Sequence, residues 1–136
     1  MDAFRLEIVT PDRKVFADDV VFLAVRGVEG DLGIAAHHVP FVTRLDIAPA
    51  RITFPDGRVK RVAVSGGFLE VRGDGVTILA DAAELPEEID LDRALRAKER
   101  AERDLEKARD LEFKKAELAL RRALVRLDVG EDRRSS

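Results

Sequence analysis

The chain has 136 residues, no Cys, and a net charge of −3 from 24 Lys+Arg and 27 Asp+Glu. The missing thiols exclude disulfides, thiolate catalysis and cysteine metal sites, and the slightly acidic total lacks the footprint of a general nucleic-acid binder. No apolar run reaches the roughly 18 residues of a membrane span. The opening MDAFRLEIV lacks the layout of a signal peptide, so the protein is expected to stay where it is made. Charge is unevenly spread: residues 1–90 carry 10 Lys+Arg against 16 Asp+Glu (net −6), and residues 91–136 carry 14 against 11 (net +3). An acidic part joined to a basic part argues for two different contact surfaces. Asn, Gln, Trp and Tyr are absent and Arg outnumbers Lys 18 to 6, a composition that fits a thermophile and fits a GC-rich genome equally.

The first 85 residues read as short strands. FRLEIV alternates Phe4, Leu6 and Ile8 with Arg5 and Glu7, and Thr10-Pro11-Asp12 closes it with turn chemistry. Val20 to Val25 is a continuous apolar run, suited to a strand buried on both faces. RGVEGDLGI, with Gly27, Gly30 and Gly33 at threes, matches neither GxGxxG nor a P-loop and reads as a turn-rich loop. His37-His38, placed in a strand, would point to opposite faces, and no third ligand stands by, so no metal site is expected. ITF and VKRVAV flank Pro55-Asp56-Gly57-Arg58, a hairpin with Asp56-Gly57 as its two-residue loop. FLEVR, Gly73-Asp74-Gly75 and VTILA repeat the device, and Gly66-Gly67 before them mark a bulge or tight backbone contact. Hairpins at regular spacing predict an antiparallel β-sandwich or barrel over residues 1–85.

Leu85-Pro86-Glu87-Glu88 introduces a linker over 86–89, since Pro86 disfavours helix before it. Asp90-Leu91-Asp92 then caps a helical stretch with no Gly or Pro as far as Leu127. One straight helix of that length would run on the order of 55 Å, too long for a small domain to bury. Leu91, Ala94, Ala101, Leu105 and Ala108 form one thin apolar stripe; Phe113, Ala116, Leu120, Leu124 and Leu127 form a second. A two-helix antiparallel hairpin is expected over 90–136, turning at Asp110-Leu111-Glu112, with a frayed charged tail after Leu127. Nothing enforces that turn, so a straight and a bent form of similar free energy are both open, as is a permanently folded hairpin. The fold class is therefore α+β.

Arg93, Arg96, Arg100, Arg103 and Lys107 step by threes and fours into one basic stripe, and Arg121, Arg122 and Arg126 cluster on the second helix. If the hairpin closes, guanidinium groups converge on a setting fit for a nucleotide phosphate; if it opens, they face an acidic protein surface. A merely solvated charged face is the competing reading. No nucleophile–base pair stands out, with Ser only at 65, 135 and 136 and two adjacent His, so the chain is not expected to be an enzyme.

GDLGI (Gly30 to Ile34), His38-Val39-Pro40 with Thr43, VSGGFLEV (Val64 to Val71) and VTILADAAE (Val76 to Glu84), followed by a charged two-helix tail, closely resemble the epsilon subunit of bacterial rotary (F-type) ATP synthase. The likeness runs in order over nearly the whole chain; where the family often has Leu-Pro-Gly before the His, this chain has Ala35-Ala36-His37. The resemblance implies a peripheral rotor subunit on the cytoplasmic face of the bacterial cell membrane, serving ATP synthesis and hydrogen-ion transport. Its sandwich would hold the gamma subunit and seat on the c-ring, with Asp31, His38, Arg121 and Arg122 as partner contacts. Its hairpin would fold against the sandwich or extend into the alpha/beta catalytic head and brake ATP hydrolysis. Some members bind ATP through Ile/Leu-Asp-x-x-Arg-Ala, which Ile89, Asp90, Leu91, Asp92, Arg93 and Ala94 fit. By the same similarity Glu84 lies near the adenine, and Arg100, Arg122 and Arg126 near the phosphates. No cofactor is required; ATP would be a regulatory ligand. The readings that compete with a rotor subunit are a stand-alone ATP-sensing module and a general β-domain adaptor with a coiled-coil tail.

Overall fold

The computed structural model describes residues 1–134. Eight strands come first: β1 (Phe4–Val9), β2 (Lys14–Val20), β3 (Phe22–Gly27), β4 (Gly30–Ile34), β5 (Phe41–Thr53), β6 (Val59–Arg72), β7 (Gly75–Ala80) and β8 (Ala83–Glu84). A 3₁₀ turn (Pro86–Glu88) leads into α1 (Leu91–Lys107) and α2 (Asp110–Gly130), and a second 3₁₀ turn covers Glu131–Arg134.

The strands join in the order β2-β1-β7-β6-β5-β3-β4, with β8 on β6. Every pairing is antiparallel except β1 with β7. Val15 and Val20 on β2 and Ile34 on β4 stand at opposite ends of that path yet share one core. The sheet therefore closes over on itself into two layers, a β-sandwich. The longest strands carry the fold-over: β5 and β6 pair in one register from Phe41↔Val71 to Thr53↔Val59, skipping only the Asp46–Gly66 position. Gly67 sits there at φ +122, and a Cβ on it would run into the Leu79 carbonyl and stand 2.8 Å from Ala80 Cα. Only glycine permits that approach of β6 to β7. All members of this core lie between Phe4 and Leu85, so the β-body is stabilised without the helices.

Several local features differ from the sequence reading. The Val20–Val25 run is two strands: β2 ends at Val20, and β3 buries Leu23 and Val25 while Phe22 and Ala24 are half-buried. RGVEGDLGI is the β3–β4 hairpin, with Gly27 opposite Gly30 and Val28-Glu29 as its turn. The Asp56-Gly57 loop is longer than two residues. Phe54 N–H donates to the Arg58 carbonyl at 2.8 Å, leaving Pro55, Asp56 and Gly57 as a three-residue loop with Gly57 at φ +90. His37-His38 lie in the turn between β4 and β5, and His37 adopts φ +66.

The helical part begins as its capping residue directs: Asp90 Oδ1 accepts from the Arg93 N–H at 3.0 Å. The break falls at Ala108–Arg109, two residues before the expected turn, and Asp110 reverses the chain at φ +54. Asp tolerates that left-handed conformation better than most residues, which is how a stretch without Gly or Pro can turn. Buried on the hairpin are Ala94 and Ala101 of α1 and Ala116 and Ala123 of α2, each pair seven residues apart. Phe113 and Leu124, expected on that face, are 43% and 44% exposed. Alanines let the two helices approach closely, with Phe113 and Leu124 turned outward. α2 docks on β5 and β6 through a second, smaller core of Ala63, Ile89, Leu91, Val125 and Val129, edged by Ile47 and Leu127. The tail expected to fray is ordered: α2 runs on to a buried Gly130, and the turn to Arg134 follows. Ser135 and Ser136 lie outside the described residues. No helix among the described residues is long and apolar enough to cross a membrane.

Candidate functional site

A cavity of about 660 Å³ opens between the first turns of α1, the end of β8 and the last turns of α2. Its size falls within the range of small-molecule sites, about 300–1,000 Å³. Capping by Asp90 starts α1 at a fixed residue, and helical spacing then places Arg93, Arg96 and Arg100 along the cavity wall. Arg126 enters from α2, and Glu84, Glu88 and Asp90 complete the polar lining, with Ala94 and Ala97 as the apolar floor.

The carboxylates are already engaged. Glu84 Oε1 accepts from Arg126 Nε at 2.6 Å, and Asp90 is the helix cap. Glu88 accepts from the Leu85 N–H and from Arg13, whose guanidinium holds the Glu88 carboxyl below its ordinary range. Among the described residues, no hydrogen bond or ion pair engages the guanidinium groups of Arg93, Arg96 or Arg100. The bond from Arg126 to Glu84 uses Nε and leaves both terminal nitrogens of its fork to donate elsewhere. The cavity thus presents exposed guanidinium groups without protein partners beside carboxylates that are already hydrogen-bonded, a chemistry suited to a polyanion.

Of the residues expected at an ATP site, Glu84, Asp90, Arg93, Arg100 and Arg126 line this cavity. Ile89 does not: its side chain is 1% exposed in the second core, and its carbonyl accepts from Arg133. Arg122 lies one turn before Arg126 and is not in the lining. Arg96 and Glu88 join it without having been expected there. Arg96 belonged to the basic stripe and was recoverable from its spacing to Arg93; Glu88 carried no local signal.

The expected partner contacts scatter. Arg121 donates to Asp46 Oδ1 at 2.6 Å and so faces its own β-body, and Arg122 is half-buried. Asp31 is exposed and pairs with Arg26, and the exposed His38 ring lies tilted against Phe41. Among the described residues no cluster of His, Cys, Asp or Glu is arranged to hold a metal.

Docking of α2 is partly electrostatic and so depends on pH. Burial pushes the Asp46 carboxyl up, but the Ile47 N–H and Arg121 outweigh it and hold Asp46 below its ordinary range. The Arg61 hydrogen bonds lower Asp132 in the same way. A carboxylate depressed in the folded state stabilises fully above its unfolded pKa, about 3.9 for Asp, and loses that contribution as pH falls through the folded value. The hairpin is therefore expected to melt at a constant temperature down to about pH 5 and earlier below about pH 4. Circular-dichroism melts between pH 7 and 3 check this; a helical transition that fails to move would overturn it.

Two family models match the chain: the beta-sandwich domain of the ATP synthase delta/epsilon chain over residues 3–86, and its long alpha-helix domain over 87–131. Among similar proteins, the ATP synthase epsilon chain of Halalkalibacterium halodurans is 52% identical over 131 residues, covering 95% of this chain and 98% of that one. That of Shouchella clausii is 47% identical over 131 residues, covering 96% and 97%. That of Bacillus velezensis is 52% identical over 130 residues, covering 95% and 98%. In fold the chain resembles one from the Euglena gracilis mitochondrial ATP synthase (OSCP/F1/c-ring), with a TM-score of 0.79, 24% identity, and coverage of 93% of this chain and 79% of that one. A chain from the central stalk and c-ring of the Tetrahymena thermophila mitochondrial ATP synthase gives 0.63 at 20% identity, covering 93% of both.

Proposed function

The chain belongs to the ATP synthase delta/epsilon chain family, among its epsilon chains, a non-catalytic subunit of that enzyme, and from that premise we propose that it is a rotor element with a regulatory, nucleotide-sensing arm. In this reading the β-body binds the gamma subunit and rests on the c-ring, at the cytoplasmic face of the membrane. The helical hairpin is the arm. Folded, it closes the arginine-lined cavity; extended, it reaches the catalytic head and slows ATP hydrolysis.

The observation that carries the sensing role is the cavity itself: Arg93, Arg96 and Arg100 on α1 meet Arg126 on α2 only when the two helices lie together against β8. ATP bound there favours the folded arm to the extent that it binds that form better than the extended one. A weakly encoded turn at Ala108–Arg109 and a small second core support an arm that moves without unfolding the β-body.

Isothermal titration of the isolated chain with ATP is expected to show saturable binding. Arg93→Ala, removing one set of charge-assisted donors, weakens it by about tenfold or more. Absence of heat at millimolar ATP would sink the sensing role and leave the rotor role standing.

A further inference from the structure

We propose that residues 128–133 form a latch that fastens the hairpin to the β-body at a place separate from the nucleotide cavity, with Arg61 as its catch. The proposal rests on reading the hairpin as a mobile arm.

Arg61, on β6, spends its whole donor fork on this one segment. Nη1 and Nη2 donate to the Asp128 carboxylate at 3.2 and 3.0 Å, and Nη2 also reaches the Asp128 carbonyl at 3.0 Å. Nε and Nη2 donate to the Asp132 carboxylate, both at 2.8 Å. Asp128 and Asp132 are four residues apart, which sets both carboxylates on one side of the helical end. Two bidentate pairs on one guanidinium give directional as well as electrostatic hold, and a lysine could not reproduce them.

The residues between are fitted to the same seat. Val129 is fully buried in the second core. Gly130 lies against the start of α1 so closely that a Cβ would stand 2.5 Å from Leu91 Cδ2 and 3.2 Å from Ile89 Cγ2. Arg133 Nη1 donates to the Ile89 carbonyl at 3.1 Å. Residues 128, 129, 130, 132 and 133 thus all bind something outside α2, whereas Leu111 and Phe113 near the hairpin turn are exposed. Arg126, which faces the cavity, is two residues from Asp128, or about 200° around the helix. Latch and cavity therefore grip α2 from different sides. The arm is held closed by its own chain before any ligand arrives, and extension requires releasing this end.

The chain has no Cys, so two introduced ones report the arm without interference. Spin labels at Asp12→Cys, in the β1–β2 turn, and Glu106→Cys, on α1, are expected to give one narrow distance in the otherwise unaltered full chain without nucleotide. Asp128→Asn/Asp132→Asn, and separately Arg61→Met, should add a longer distance whose population is at least tenfold that of the parent. A single unchanged narrow distance in both variants would overturn the latch. Methyl NMR signals of Ile8 and Ile78 verify that the β-body stays folded. Should either variant lose them, Arg61→Glu/Asp128→Arg/Asp132→Asn, which reverses the pair, decides: a restored narrow distance supports the latch and a persistent long one overturns it. ATP hydrolysis by the assembled enzyme separates this from the regulatory reading. An arm that opens while hydrolysis is unchanged removes the brake and keeps the latch; an arm that stays closed removes the latch and leaves the brake standing.

Discussion

Enzyme reconstituted with residues 1–87 in place of the full chain is expected to assemble normally and hydrolyse ATP several-fold faster. The physical basis is the division of the hydrophobic interior. The larger core draws only on residues between Phe4 and Leu85, so removing everything from Glu88 onward takes no side chain from it. What the deletion exposes is the seat of the arm, chiefly Ala63 and Ile47 on β6 and β5. Size follows from population: an arm inserted nine-tenths of the time leaves one tenth of the activity, so its removal returns about tenfold. Steady-state hydrolysis of the two reconstituted enzymes, with subunit content checked on a gel, makes the comparison. Equal rates with intact assembly would remove the inhibitory role.

Gly67→Ala should be the most damaging single substitution in the β-body, lowering stability by more than about 3 kcal/mol in urea unfolding. Two costs combine: φ +122 is strained for any residue with a side chain, and the new methyl would meet the Leu79 carbonyl and Ala80 Cα. Both are backbone atoms of β7, which cannot swing aside as a flexible side chain would. Gly57→Ala is the control. Its φ of +90 carries comparable strain, but nothing lies within 4 Å of the added Cβ, so its loss should be nearer 1 kcal/mol. A loss below 1 kcal/mol for Gly67→Ala would mean that the fold-over of the sheet is soft.

The contrast between those glycines also shows what a sequence discloses. Turns written in local chemistry were legible: Gly73-Asp74 joins β6 to β7, and Asp90 caps α1. The Val20–Val25 run was not, because its bend comes from β3 pairing with β5 residues some thirty positions on, and periodicity carries no trace of that. The hairpin break begins at Ala108–Arg109, two residues early, but Asp110 of the expected turn reverses the chain in a left-handed conformation, the work usually assigned to Gly. Leu91, Ala94, Ala101 and Ala116 of the expected stripes are buried, whereas Phe113 and Leu124 are exposed and Ala123 takes a buried place on α2, since close approach of the helices favours alanine there. At the cavity, residues on α1 followed from spacing alone. The Glu84–Arg126 bond and the Arg61 fork join positions 42 to 71 residues apart and became visible only with the fold.

Arg121, Val125 and Asp128 share one side of α2, and Asp132 continues that side into the following 3₁₀ turn, at spacings of three and four residues. From its middle to its C-terminal end this side meets the β-body with reversed polarity: Arg121 supplies the cation at Asp46, and Asp128 and Asp132 supply the anions at Arg61. A slip of one helical turn would bring Glu117 or Val125 opposite Asp46, setting acid against acid or stranding a charge beside an aliphatic group. The returning arm is thus keyed like an asymmetric plug, so that each closure ends in the same register and rebuilds the same arginine cage.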